Sequence, residues 1–149
     1  TCISFIALTR GLEHGKILIW YAIFAAWGTD TCAYIIGKRF GKHKFSQVSP
    51  KKSIEGCIAG TLGAVLAVVI YTAVINSIYN LGYSYVYVII TTIILSLIGQ
   101  IGDFAASSIK RYVNVKDYSN LIPGHGGMLD RIDSLMFLAP FAYVILSMM

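Results

Sequence analysis

The sequence predicts an all-α, polytopic membrane protein with about four transmembrane helices, built as one membrane-embedded domain over residues 1–149. Three observations predict it. The chain is 56% hydrophobic with a mean hydropathy of +0.70, well above a soluble domain of this length. Its apolar residues form long runs at 17–36, 57–78, 85–106 and 134–149, close to the roughly 20 residues a helix needs to cross ~30 Å of hydrocarbon. Charged residues, only 13% of the chain, gather between those runs. The net charge of +5 therefore lies beside apolar spans. It points to anionic headgroups or nucleotide phosphates rather than to nucleic acid. Cys2, Cys32 and Cys57 lack metal-type spacing and read as small apolar residues.

The chain starts inside an apolar stretch, 2–8, with no initiator Met and no leader with a charged start. That suggests the C-terminal part of a longer membrane protein, with 2–8 as the tail of a preceding helix. Residues 10–16 read as a polar connection in which Glu13 and His14 face solvent. The first span, 17–36, has Trp20 and Tyr21 near one end and Tyr34 near the other, as interface anchors do. Asp30 lies within it, at a cost of ~2.5–3.5 kcal/mol on insertion scales. Trp27, Asp30 and Tyr34 share a helix face. Asp30 either reaches water near the helix end or lines a polar cavity.

A basic loop follows at 37–56, with Lys38, Arg39, Lys42, Lys44, Lys51 and Lys52 against Glu55. Such loops face the cytoplasm whatever their function. The loop also has Gly37, Gly41, Gly56 and a Ser-Pro-Lys-Lys-Ser turn at 49–53, and glycine amides with lysines hold phosphate oxygens. It is not a Walker A loop. The second span, 57–78, is uncharged, and Gly60 and Gly63 permit close helix contact. Residues 76–84 form a short uncharged turn with tyrosines about it, on the side away from the cytoplasm.

In the third span, 85–106, the exit half turns polar. Ser96, Gln100, Asp103, Ser107 and Lys110 fall on one stripe at 100° per residue, and Gly99 and Gly102 beside it leave room for another backbone. A packing face with a hydrogen-bonded Gln explains Ser96 and Gln100. It explains Asp103 poorly, since a buried carboxylate needs a cation. Residues 111–133 are then cytoplasmic, and 134–149 form a last, slightly short apolar run.

The stretch 107–133 concentrates the chemistry: SSIKRYVNVKDYSNLIPGHGGMLDRID. Four of the seven acidic residues lie in it or one turn before it. Carboxylates, cations and a Pro-Gly-His-Gly-Gly turn at a membrane edge suit a metal–polyphosphate. Mg²⁺ is usually held by one or two carboxylates plus substrate phosphates. Asp103 and Asp133 are the preferred pair, with Asp130 one turn away as a third ligand or an orienting group. Lys110, Arg111, Lys116 and Arg131 can neutralise a triphosphate, or can merely set topology. His125 binds phosphate or holds its loop.

The run resembles the signature of the phosphatidate cytidylyltransferases. The resemblance rests on Ser107, Lys110, Arg111, Lys116, Asp117, Pro123, His125, Gly126, Gly127, Asp130, Arg131 and Asp133. It extends upstream to Trp27, Asp30, Gly37, Lys38, Gly41, Lys42 and the segment Ser49–Gly56 with Lys51, Lys52 and Glu55. It implies an enzyme making CDP-diacylglycerol and pyrophosphate from CTP and phosphatidate, dependent on Mg²⁺, with a second cation possible. It implies a metal centre on Asp103 and Asp133, and a homodimer in the cytoplasmic membrane with its site facing the cytoplasm. The expected catalytic residues are Asp103, Asp133, Lys110 and Arg111. Those expected to bind substrate are Asp30, Lys51, Lys52, Ser107, Lys116, His125 and Arg131, in a cavity between spans one, three and four. Two rival readings are a CTP-dependent polyprenol-type lipid kinase and a non-enzymatic cation transporter using Asp30 and Asp103. The basic loops and the PGHGG turn are superfluous to a transporter.

Overall fold

The computed structural model describes residues 2, 4–43, 52–113, 115 and 129–148, with backbone alone at 129–131. The described residues form five helices: α1 (Ser4–Arg10), α2 (Gly15–Phe40), α3 (Ile54–Tyr79), α4 (Tyr85–Tyr112) and α5 (Leu129–Leu146). α3 and α4 are long and apolar enough to cross a membrane, and α5 holds a shorter apolar helix, Ile132–Leu146. α2, about 39 Å long at 1.5 Å per residue, has the length but is less apolar. Aromatic residues, threonines and Asp30 interrupt it.

Residues 4–10 are a short helix packed against α2 and α5, and Phe5 meets the Tyr143 ring at 5.7 Å. Glu13 and His14 are exposed, as expected. The helices overrun the predicted spans because no breaker stops them at the apolar boundary. α2 continues through Gly37–Phe40, where Lys38 and Arg39 complement the negative end of the helix and Lys38 lies 5.8 Å over the Tyr34 ring. The connection thus shrinks from 37–56 to 41–53. Its two ends are tied together: the Ile54 amide donates to the His43 carbonyl (3.0 Å), and His43 Nδ1 lies 2.6 Å from Glu55 Oε1. Ser53 caps α3 by accepting from the Gly56 amide at 3.1 Å. At the other end α3 runs to Tyr79, so the turn is 80–84 rather than 76–84. Asn76 stays helical while its amide group pins the turn, donating to the Tyr83 carbonyl and accepting from the Tyr83 amide, both at 3.0 Å. α4 extends to Tyr112, and α5 begins at Leu129, placing Asp133 inside a helix rather than at a loop's end.

α3 shows how these helices pack. Gly56, Gly60, Ala64, Val68 and Thr72 recur every fourth residue and are buried, whereas Ile58, Leu62, Leu66, Ile70, Val74 and Ile78 form an exposed apolar stripe. Small residues inside and large apolar residues outside are what a helix in lipid needs, because close backbone approach drives its association. A Cβ on Gly60 would stand 2.7 Å from the Thr29 carbonyl oxygen, so α2 and α3 meet there only without a side chain. Gly102 opens α4 in the same way, but to the Phe137 side chain of α5 rather than to backbone. Tyr21 is not an interface anchor. It is 3% exposed, shares a hydrogen bond with Thr72 Oγ1 (3.1 Å) and packs edge-on to Tyr71 and Tyr83. Trp20 and Tyr34 are exposed.

Candidate functional site

The polar stripe of α4 divides into two parts. Its inner half knits three helices together. Thr29 of α2 shares a hydrogen bond with Ser96 Oγ (2.7 Å), and Ser96 shares one with Thr61 Oγ1 of α3 (3.0 Å). Gln100 Nε2 reaches Thr61 Oγ1 at 3.0 Å and donates to the Cys57 carbonyl at 3.2 Å. Ser96 and Gln100 are therefore the packing face that periodicity allowed, and their hydroxyl and amide groups are satisfied among apolar helices.

The outer half opens into a cavity of about 290 Å³. α2 supplies Asp30 and Tyr34, the start of α3 is preceded by Lys52 and Ser53, and α4 supplies Asp103 and Ser107. This corrects the expected location between spans one, three and four: the start of span two forms a wall, and span four does not line the cavity but touches one of its residues through one side chain. That side chain is Ser134, whose hydroxyl donates to Asp30 Oδ2 at 2.9 Å. The cation that Asp103 requires is Lys52, whose Nζ pairs with Asp103 Oδ2. Both side chains are about one-quarter exposed, so the pair stands at the cavity mouth. The Ser53 cap matters here, because it fixes where the chain turns into α3 and thus where Lys52 points.

Asp133 does not line this cavity. It lines a neighbouring groove of about 230 Å³ between α4 and α5, with Gly102, Ala106 and Phe137. Lys110 Nζ lies 3.8 Å from Asp133 Oδ2, and both side chains are nearly buried. Asp30 is linked to Asp133 through Ser134, whose hydroxyl donates to Asp30 Oδ2 and whose amide donates to Asp133 Oδ1 at 2.8 Å. Arg111 is exposed in the last turn of α4. Lys51, Lys116 and His125 lie outside the described residues, as do the side chains of Asp130 and Arg131 at the start of α5. The described residues contain no group of three or more His, Cys, Asp or Glu arranged as a metal cage. Asp30 and Asp103 in the cavity and Asp133 in the neighbouring groove offer carboxylate oxygens, while Cys57 also lines the cavity and Cys2 the groove. Carboxylate oxygens are the donors that a hard divalent cation completed by phosphate oxygens and water would use.

Residue patterns alone did not single out Ser134, Thr29, Thr61 or the His43–Glu55 clasp. Ser134 directly follows the Asp-Arg-x-Asp end of the signature, which was the available signal. The other contacts join residues 12 to 67 positions apart and have no local pattern.

The chain is similar to known proteins along its whole length. Phosphatidate cytidylyltransferase of Bacillus subtilis (strain 168) is 41% identical over 149 residues, covering 99% of this chain and 54% of that protein. The enzyme of the same name from Staphylococcus aureus (strain COL) is 39% identical over 145 residues, covering 97% and 54%. That from Staphylococcus haemolyticus (strain JCSC1435) is 38% identical over 148 residues, covering 99% and 55%. The chain spans about half the length of these curated relatives. The family described as "Cytidylyltransferase family" matches residues 1–149, the whole chain, and the chain belongs to that family.

Proposed function

We propose that this chain forms the site-bearing part of an integral membrane phosphatidate cytidylyltransferase. The reading is supported above all by the cavity that places Asp30, Lys52, Asp103 and Ser107 together at the polar end of apolar helices. Helices α2 to α5 are its four spans; α5, at about 27 Å, needs a small bilayer adjustment. The basic connection 41–53 and the segment between α4 and α5 face the cytoplasm, where CTP is available. The acyl chains of phosphatidate stay in the bilayer while its headgroup meets the nucleotide at the cavity mouth. A homodimer in the cytoplasmic membrane completes the proposal, by family resemblance.

In the reaction a phosphate oxygen of phosphatidate attacks the α-phosphorus of CTP. The bond to the bridging oxygen breaks, and pyrophosphate leaves. Phosphatidate is already an anion near neutral pH, so no side chain need remove a proton from it. The protein's task is to hold two anions together and to stabilise the charge that moves to the leaving group. Lys52 is placed to do this in the cavity, with Lys51 beside it in sequence. Lys110, Arg111, Lys116 and Arg131 extend the positive field toward the cytoplasm, and His125 in its glycine turn contacts phosphate. Mg²⁺, when bound, would screen the phosphates and favour pyrophosphate as leaving group. Asp103 and Asp133 are its proposed ligands, with Asp130 in support. In the absence of substrate, Lys52 and Lys110 balance those two carboxylates.

The test is an assay of the intact protein in lipid vesicles with CTP and phosphatidate. CDP-diacylglycerol and pyrophosphate should form in equal amounts. Lipid phosphate and CDP formed from CTP and an added polyprenol would instead identify a lipid kinase, and metal flux without CTP turnover would identify a transporter.

A further inference from the structure

Ser134 makes two contacts that no other residue near the site combines. Its hydroxyl donates to Asp30 Oδ2 at 2.9 Å, joining α5 to α2 across 104 positions of sequence. Its backbone amide donates to Oδ1 of the adjacent Asp133 at 2.8 Å. The residue is 1% exposed, so neither contact competes with bulk water. Asp30 lines the cavity, and its second oxygen, Oδ1, has no hydrogen-bond partner among the described residues. No buried side-chain oxygen among the described residues is left unsatisfied, so Oδ1 is accessible, and the residue that carries it lines the cavity. A carboxylate held through one oxygen, with the other accessible on a residue that lines a polar cavity, is preorganised: its rotamer is set before substrate arrives. Without the hydroxyl, the Asp30 side chain can turn about both its torsions, and it loses the donor that Ser134 supplies inside apolar helices.

We propose that Ser134 is a positioning residue for the transfer reaction, fixing Asp30 toward the cavity while its amide holds Asp133. This rests on the cytidylyltransferase reading given above. Its action goes through Asp30, since Ser134 does not itself line the cavity. The alternative, a bond that merely ties α5 to α2, would cost stability and leave the turnover of folded protein unchanged.

Thr and Val are nearly isosteric and differ at the hydroxyl, so Ser134→Thr and Ser134→Val isolate the hydrogen bond even if the added methyl perturbs packing. In the intact enzyme in vesicles, Ser134→Val and Ser134→Ala should lower kcat by about 10- to 100-fold, the range for a hydrogen bond to a charged group. KM for CTP should change by less than about threefold. Ser134→Thr should stay within about threefold of the parent. Adding Ser134→Val to Asp30→Asn should cause no further loss, because Asn has already removed the group being positioned. Equal turnover in the Thr and Val variants, or additive losses with Asp30→Asn, would overturn the proposal. A second readout needs no activity. The infrared band of the Asp30 carboxylate, assigned by its loss in Asp30→Asn, should shift in Ser134→Val and not in Ser134→Thr. An unmoved band overturns the positioning role whatever the reaction is. An inactive parent enzyme with a shifted band overturns the cytidylyltransferase reading and leaves the contact standing.

Discussion

At the residue scale, Asp103 has two claims on it. It is paired with Lys52 in the structure, and it is a proposed ligand of the cation that accompanies CTP. Both claims predict that its charge matters more than its size. Asp103→Asn keeps the shape and one neutral oxygen, and it should lower CDP-lipid formation by at least about 100-fold with insertion intact. Asp133→Asn should do the same, and the double variant should be no worse than either single one, because each dismantles the same site. Steady-state kinetics on reconstituted protein checks this. Near-normal turnover of folded Asp103→Asn in the same Mg²⁺ would remove Asp103 from the mechanism. Lys52, with Lys51 beside it in sequence, gives a separable test. Replacing both with Gln should raise KM for CTP more than KM for phosphatidate, since the nucleotide brings the larger negative charge. Small, equal effects on both substrates would mean that these lysines serve topology alone.

At the element scale, the seam between α2 and α3 depends on what is missing from it. Gly60→Leu would drive a branched side chain into the Thr29 backbone. It should cost at least about 1–3 kcal/mol, read as a lowered thermal transition in detergent. Gln100→Leu removes contacts to both Thr61 and the Cys57 carbonyl. Interhelical hydrogen bonds in membranes average about 0.6 kcal/mol, so the expected loss is about 1 kcal/mol. A far larger loss would show the network to be cooperative. The helices also fix sidedness. A cysteine at Asn80, in the turn joining α3 to α4, should react with impermeant reagent from the side opposite to cysteines at Ser46 and Asn114. Labelling of Asn80 and Asn114 from one side would invalidate the four-span arrangement.

At the scale of the whole molecule, the described helices bring Asp30, Lys52, Asp103 and Ser107 together at one end of an apolar bundle. Tyr21, Tyr71 and Tyr83 pack together towards the other end. Under the proposed function, a lipid from the bilayer and a nucleotide from water would meet at the end that holds the cavity. Activity of the intact enzyme should accordingly require a divalent metal, disappear with a chelator and return when Mg²⁺ is added back, because two anionic substrates and three carboxylates repel without it. Full turnover in excess chelator would exclude the carboxylates as metal ligands.

What the sequence determined by itself follows from short-range physics. Hydropathy located the apolar helices to within a few residues, and charge located the polar connections. The 100° periodicity put Ser96, Gln100, Asp103 and Ser107 on one face, and the motif in 107–133 carried the resemblance to the family that the chain belongs to. Its boundaries erred where helices ran past the apolar run, as at Gly37–Phe40 and at the start of α5, because the helical backbone does not end where lipid does. The tertiary structure decided which partner each polar group found. Lys52 pairs with Asp103; Ser134 holds Asp30; and Asp133 lies in the α4–α5 groove outside the main cavity. Pairings of this kind join residues tens of positions apart. They are set by which small residues let helices approach and at what depth, and local patterns do not encode that geometry.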